Sequence, residues 1–274
     1  HISSKHNALE LKLDEVWRYR DLILLFTKRN FVVRYKQTIL GPAWILLNPL
    51  FSSIIYAIVF GGIAKIGTEG IPTILFYLCS NAIWLFFATC VTTNARTFTE
   101  NANVFGKVYF PRLTMPISNM LSAGIHFCVQ MLMVLGFLGF YLVQGAVHPN
   151  WAAWLLIPVV LLHLGMLGLG CGIIVSSLTT KYRDLAILVD FAMQLWMYAT
   201  PVVYPLSTLE PGWIRTILLI NPVTAPVEFF RYAILGQGSI LPWVLVLSWA
   251  ITIVVMLIGI VIFNKVERTF MDTV

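Results

Sequence analysis

Long stretches without a charged side chain are the feature that most constrains how this chain can fold. Such stretches lie between Lys36 and Lys65, between Glu69 and Arg96, and throughout residues 113–180. A helix needs about 20 mostly apolar residues to cross the hydrocarbon core of a bilayer. Only 11% of the residues are charged, against roughly 25% in soluble domains. The sequence therefore predicts an all-α polytopic membrane protein.

Six transmembrane helices account for the uncharged stretches. The longest stretch is divided by residues 144–150, which have the composition of a turn. The predicted spans are Pro42–Ala64, Pro72–Ala95, Leu113–Val143, Trp151–Leu178, Leu185–Tyr204 and Ile240–Asn264. We predict a single domain over residues 1–274, with a cytoplasmic interfacial helix in 1–37, the six-span bundle in 42–264 and a cytoplasmic tail in 265–274.

The positive charges predict the orientation of these spans. Of the 18 Lys and Arg residues, eight precede the first span, and three, two and two follow the second, fourth and sixth spans. Only Lys65, Arg215 and Arg231 lie on the opposite side. Loops rich in Lys and Arg stay in the cytoplasm, so both termini are predicted to be cytoplasmic. Because the charges flank spans, they do not indicate nucleic-acid binding.

Two cytoplasmic segments carry apolar side chains that need an explanation. Leu13–Gln37 is basic and amphipathic, which is typical of a helix in the membrane interface; a solvated helix is the alternative. The loop Arg96–Arg112 contains Phe105, Tyr109 and Phe110. We interpret these rings as an exposed apolar patch that docks into a partner. An interfacial turn packed on the same chain is the alternative.

The segment between spans five and six is apolar but interrupted by Pro and Gly. We predict two short re-entrant helices, Leu206–Ile217 and Thr224–Leu235, because such backbone is tolerated at membrane depth only where its polar groups are satisfied. Glu228 and Arg231 stand three residues apart and can pair on one helix face. An ordinary periplasmic loop is the alternative.

Motifs for chemistry are absent from the sequence. It holds no GxxxxGK[ST] phosphate loop, no zinc-protease motif and no nucleophile elbow. His126 and His163 stand alone in apolar helices and are interpreted as packing residues. Asp190 lies near Asp184, and pairing with Lys181 or Arg183 is its simplest explanation. We therefore predict no enzyme, no metal and no cofactor bound by this chain.

Several short motifs resemble the permeases of bacterial polysaccharide ABC exporters, which export O-antigen, teichoic acid or capsular polymers. The resemblance begins with Arg34–Trp44 (RYKQTILGPAW) followed by Asn48-Pro49. It continues in order along the chain through Phe110–Leu113 with Pro116, Lys181–Asp184, Thr200–Pro205, Asn221-Pro222 with Glu228 and Arg231, and Glu267–Phe270.

The resemblance implies a homodimer in the bacterial inner membrane, working with two copies of a separate ATPase that binds ATP and Mg²⁺. Its substrate would be a lipid-linked polysaccharide. Four sets of residues thus receive predicted roles, two from the resemblance and two from the chemistry of the residues themselves. The ATPase-coupling set is Asn103, Phe105, Lys107, Tyr109, Phe110 and Arg112; the interfacial gate is Arg34, Tyr35, Lys36 and Trp44; the outer gate is Glu228 and Arg231.

The fourth set is a polymer channel lined by aromatic rings, because such rings stack on the apolar faces of sugars. The candidates are Tyr56, Phe60, Trp84, Phe87, Trp196, Tyr198 and Tyr204. Aromatic belts at the membrane interface and core packing are the alternatives.

Other functions stay open at the level of sequence. An exporter of drugs or small amphiphiles would have the same architecture. An intramembrane glycosyl- or acyltransferase would need a catalytic cluster, and a non-transporting assembly subunit would need no transport path.

Overall fold

The computed structural model describes residues 13–36, 38–105, 110–180, 182 and 184–271, and of residues 13, 102–104 and 267–271 it describes only the backbone. Within these ranges every regular element is helical. This confirms the predicted all-α class.

The described part of the chain contains twelve α-helices. A 3-10 turn at Gly41–Ala43 precedes the third helix, and a wider π-helical turn at Ala57–Ile63 follows it. The helices are α1 Leu13–Arg18, α2 Arg20–Tyr35, α3 Trp44–Tyr56, α4 Thr73–Ala95, α5 Thr97–Phe105, α6 Thr114–Val143, α7 Trp151–Trp154, α8 Ile157–Thr179, α9 Leu185–Tyr198, α10 Trp213–Ile220, α11 Thr224–Leu235 and α12 Pro242–Met271.

Five helical stretches among the described residues are long and apolar enough to cross a membrane. They are Gly41–Ile63, Thr73–Ala95, Thr114–Val143, Ile157–Thr179 and Pro242–Val266. Helix α9 is apolar but has only 14 residues. The predicted end of the fifth span at Tyr204 is therefore wrong. The helix stops at Tyr198 because Pro201 disfavours helical backbone in the residue before it.

Other predicted boundaries also need correction. The fourth span is interrupted at Leu155 and Leu156, so α7 is a separate turn. The first outer helix begins at Trp213 rather than Leu206, because Pro211-Gly212 separates it from a short 3-10 turn, and it ends at Ile220 rather than Ile217. The second outer helix has the predicted bounds. The interfacial helix breaks at Tyr19.

Helices α4 and α8 form the centre of the bundle. In the most apolar part of α4, 78% of residues are buried, against 17% in the first span. Helix α4 packs on α6 and α8, and α8 packs on α12. The first span therefore turns most of its side chains outward, toward lipid or a second protein.

Glycines allow α4 and α8 to approach each other closely. A Cβ atom at Gly168 would lie 2.6 Å from the Cβ of Cys90, and one at Gly172 would lie 2.4 Å from the Cβ of Asn94. Without a driving force from water, helices in membranes associate through close packing of small residues. The glycines of α8 therefore set the separation of the two central helices.

We expect Gly172→Ala to lower the free energy of unfolding by about 1–3 kcal/mol, because the added methyl group overpacks this contact. The matched control is Gly136→Ala on α6, where a Cβ meets no atom within 4 Å. Both changes gain helix propensity, so their difference isolates the clash. Thermal unfolding in detergent measures it, and equal midpoints for the two variants would contradict the close approach.

Candidate functional site

The end of α9 is closed by side chains from residues 199–241, between α9 and α12, which we call the outer segment after its predicted orientation. The Asn221 Nδ2 group donates to the carbonyl oxygen of Ala199 at 2.7 Å and to the Thr200 hydroxyl at 2.9 Å. Arg231 Nη1 donates to the carbonyl oxygen of Pro201 at 2.8 Å. These contacts satisfy backbone acceptors that the interrupted helix leaves free, which is the condition for irregular backbone at membrane depth.

Helices α10 and α11 are bent by 85° relative to each other. This is the geometry of a broken span or a re-entrant pair, as the sequence predicted. The carbonyl oxygen of Ala233 on α11 accepts from Asn150 N at 3.1 Å and from Trp154 Nε1 at 2.7 Å. The outer segment is therefore held by the turn before α8 as well as by α9.

Glu228 and Arg231 form a buried ion pair inside this segment. Their side chains are 3% and 0% exposed. Arg231 Nη2 donates to Glu228 Oε1, while Glu228 Oε2 accepts from the Ser239 backbone N–H at 2.9 Å. The Arg231 guanidinium also lies 4.8 Å from the ring centroid of Phe76. Both charges are thus compensated, and the role of the pair as an outer gate stays a prediction.

A contact that sequence reasoning missed ties the first outer loop to this segment. The hydroxyl of Ser207 donates to Glu69 Oε1. Residue Glu69 adopts a positive φ of 55°, which is uncommon for a side chain other than glycine. Because Glu69 and Ser207 lie far apart in the sequence, no local pattern predicts their contact. The sequence shows only that a single carboxylate lies between the first two spans.

The candidate channel aromatics form two contacting groups. Ring centroids of Tyr56 and Phe60 are 6.0 Å apart, and Phe60 lies 6.5 Å from Tyr198. In the second group, Phe87 lies 5.6 Å from Trp84 and 5.3 Å from Trp196. Rings from the first, second and fifth spans are thus brought together.

Burial divides these rings further. Trp84 and Phe87 are 3% and 0% exposed, so in this structure they pack in the core and present no surface to a ligand. Tyr198 is 51% exposed, and its backbone oxygen accepts from the Tyr204 hydroxyl at 2.9 Å. A polymer-contacting role stays a prediction for the five partly exposed rings, which are Tyr56, Phe60, Trp196, Tyr198 and Tyr204.

The candidate coupling residues are positioned by an aromatic cluster of the same chain. Phe105 and Phe110 are each 5% exposed, and their ring centroids lie 5.7 Å apart. Phe98 lies 5.9 Å from Phe105, and Phe26 of the interfacial helix lies 5.6 Å from Phe110. The interpretation of these two rings as an exposed patch is wrong, because α2, α5 and α12 cover them.

The rest of the coupling set is only partly described. The Arg112 guanidinium lies 5.5 Å from the Phe105 ring centroid. Lys107 and Tyr109, and the side chain of Asn103, lie outside the described residues. The coupling role of the segment stays a prediction.

Among the interfacial-gate candidates, two lie on α2, Lys36 directly follows that helix and Trp44 begins α3. Arg34, Lys36 and Trp44 are exposed, whereas the Tyr35 ring contacts the ring of His126 on α6 at 5.7 Å. The structure thus connects Tyr35 to the third span, and a gating role for the set stays a prediction.

Two other polar residues have clear partners. His163 Nε2 hydrogen-bonds with Thr252 at 2.9 Å, and its ring stacks on Trp249 at 4.2 Å, which confirms the packing interpretation. Asp190 pairs with Arg96 at the end of α4, a partner that the sequence interpretation did not consider. The predicted partners, Lys181 and Arg183, lie outside the described residues.

A comparison of the sequence with known protein families shows to which family this chain belongs. The model of the ABC-2 type transporter family matches residues 21–235, from α2 through the end of α11. The chain belongs to the ABC-2 type transporter family. The match includes the bent outer pair, so family membership covers the helices that build the candidate site.

Curated relatives agree with this assignment. An O-antigen export system permease protein of Klebsiella pneumoniae is 28% identical over 254 residues, covering 92% of this chain and 94% of its own length. A permease of the same name from Myxococcus xanthus is 28% identical over 221 residues, covering 79% of this chain and 81% of its own. These relatives confirm the resemblance to polysaccharide exporter permeases.

Proposed function

We propose that this chain is the membrane-spanning subunit of an ATP-driven exporter that moves a lipid-linked polysaccharide across a bacterial inner membrane. The observation that carries the proposal is the alignment of O-antigen export permeases along 92% of the chain. The polymer would be of O-antigen, teichoic acid or capsular type. ATP and Mg²⁺ would bind to two copies of a separate subunit, since no phosphate loop occurs in this sequence.

Outward-facing apolar surfaces support a homodimer. The first span exposes Phe51, Ile55 and Ile58, and α9 exposes Ile187 and Phe191. A second copy facing these helices would bury part of this surface and surround a path beside Tyr198. A single bundle of helices with a packed centre leaves little room for a polymer chain.

Polymer export in a deletion strain tests the proposal. The chain, co-expressed with the ATPase subunit of a polysaccharide exporter, should restore surface polysaccharide, and a hydrolysis-deficient ATPase should abolish this rescue. Reconstituted vesicles should accumulate lipid-linked polymer only with ATP. Extrusion of small amphiphiles without any polymer transport would instead favour a drug exporter.

Cysteine labelling tests the proposed cytoplasmic location of both termini. In a cysteine-free background we expect Gly67→Cys to react with an impermeant thiol reagent in intact cells, because Gly67 lies on the loop predicted to face outward. Thr180→Cys should react only after permeabilisation. Both positions are exposed, so the two variants are matched in access, and outside labelling of Thr180→Cys would contradict the topology.

A further inference from the structure

A polar cavity of about 570 Å³ lies between the interfacial helix and the bundle. Helix α2 contributes Arg29 and Arg34 to its lining, α5 contributes Glu100, and α6 contributes Asn119 and His126. Two guanidinium groups and a carboxylate thus face one space at an end of the membrane spans. None of the partly exposed rings beside the proposed transport path lines this cavity, and of the interfacial-gate candidates only Arg34 does.

A network of amide side chains holds one side of the cavity in place. Arg29 Nη2 donates to Asn101 Oδ1 on α5 at 3.4 Å and to Asn30 Oδ1 at 3.2 Å. Asn30 Nδ2 donates to Asn119 Oδ1 at 3.0 Å, and Asn119 Nδ2 donates to Asn94 Oδ1 at 3.2 Å. Side chains of α2, α4, α5 and α6 therefore meet in a connected network, so Arg29 is positioned by its neighbours and is not a freely moving surface side chain.

His126 supplies a buried atom that lacks a partner. The residue is 9% exposed, and its Nδ1 lies 2.7 Å from the carbonyl oxygen of Ser122. Because a carbonyl oxygen only accepts, Nδ1 carries the proton and Nε2 of the neutral ring is an acceptor. Nε2 has no hydrogen-bond partner within the described part of the chain. A buried acceptor without a donor is unfavourable, and it belongs to a residue that lines the cavity. The atom itself has almost no accessible surface, so a ligand reaches it only when the His126 ring turns toward the cavity.

We propose that the cavity binds the headgroup of a membrane phospholipid whose alcohol group carries a hydrogen-bond donor, such as phosphoethanolamine or phosphoglycerol. Arg29 and Arg34 would hold the phosphodiester, because guanidinium groups make charge-assisted hydrogen bonds with phosphate oxygens. The donor of the headgroup would pair with the exposed Glu100 carboxylate, and with His126 Nε2 once that ring turns toward the cavity. Phosphocholine has no N–H or O–H group, so it cannot donate a hydrogen bond to either acceptor.

A bound headgroup would connect two helices. Arg29 and Arg34 belong to the interfacial helix, whereas Glu100 belongs to α5, which leads into the candidate coupling segment. The lipid would bridge the two helices alongside the direct contact between Arg29 and Asn101. The site does not depend on which polymer or amphiphile the exporter carries.

Native mass spectrometry of the purified full-length chain tests the proposal with dimyristoyl phosphatidylethanolamine, phosphatidylglycerol and phosphatidylcholine. We expect one retained ethanolamine or glycerol lipid, bound about tenfold or more tightly than the choline lipid. Arg29→Gln should weaken binding of the first two lipids about tenfold. Arg20→Gln is the matched control, since Arg20 is an exposed arginine on the same helix, and it should bind like the unmodified chain.

Two further variants separate the headgroup from the phosphate. Glu100→Gln, at an exposed position that tolerates the change, and His126→Phe should each reduce the preference over the choline lipid while phosphate binding persists. Equal binding of all three lipids by the unmodified chain would overturn the proposal. Displacement of the lipid by millimolar inorganic phosphate would make the site one for a free anion. Displacement by equimolar undecaprenyl phosphate would assign the cavity to the exported lipid, and either result overturns the phospholipid assignment.

Discussion

Arg231→Ala is expected to destabilise the outer segment by about 3–5 kcal/mol and to reduce polymer export at least tenfold. Removing the guanidinium leaves Glu228 as an uncompensated buried carboxylate, and breaking a buried pair in this way is strongly destabilising. It also leaves the carbonyl oxygen of Pro201 without its donor. Surface polymer in a deletion strain reports export, and thermal unfolding of the purified variant reports stability.

The matched control removes both charges together. Glu228→Gln combined with Arg231→Met leaves no unpaired charge, and exchanges of this kind are often neutral for stability. The double variant should therefore recover most of the unfolding midpoint. Its membrane yield should equal that of Arg231→Ala, because insertion depends on the long spans. Normal export and an unchanged midpoint for Arg231→Ala would exclude the pair from both stability and gating.

Phe105→Ala is expected to destabilise the cluster under the coupling segment by about 3–5 kcal/mol, the range for truncating a buried Phe to Ala. The lost ring contacts Phe98, Phe110 and the Arg112 guanidinium. Because these contacts position the segment proposed to meet the ATPase, export should fall more than ATP hydrolysis. The ratio of polymer exported to ATP hydrolysed in reconstituted vesicles measures this uncoupling.

Phe140→Ala is the matched control for this loss of a ring. Phe140 is 59% exposed on the third span, so its truncation removes little packing within the chain. We expect its unfolding midpoint and its export to match the unmodified protein. If Phe105→Ala couples ATP hydrolysis to export normally, the cluster supports the bundle but does not transmit movement from the ATPase.

The outer helix Thr224–Leu235 could be predicted to the residue because its limits depend on local chemistry. Pro222 precedes its first turn, and Gly236 follows its last residue with a φ of +76°, the left-handed conformation that commonly ends a helix. The end of α9 was missed for the opposite reason. The sequence stays apolar through Tyr204, so hydropathy alone predicts that the helix continues. It does not show that Pro201 ends the helix, or that Asn221 donates hydrogen bonds to the backbone oxygen left free there.

The candidate site depended on contacts that sequence spacing does not contain. Apolar rings in a loop look the same whether a partner or the same chain covers them. Phe105 and Phe110 are covered by Phe26 and Phe263 from opposite ends of the chain, and nothing near either ring indicates this. The partner of Asp190 was missed similarly, because Arg96 lies 94 residues earlier in the chain, directly after α4, whereas the spacing of Glu228 and Arg231 on one helix made their pairing visible.

The short α9 helix has a consequence for the surrounding bilayer. Fourteen residues at 1.5 Å each extend only about 21 Å, whereas the hydrocarbon core of a bilayer is about 30 Å thick. Either the bilayer beside this helix becomes thinner or the helix sits toward one leaflet. Each adjustment costs fractions of a kcal/mol of free energy per Å of mismatch. Wherever acyl chains contact α9, they would therefore meet an apolar surface shorter than the bilayer core, which lowers the added distortion when a long lipid tail enters between the bilayer and this side of the bundle.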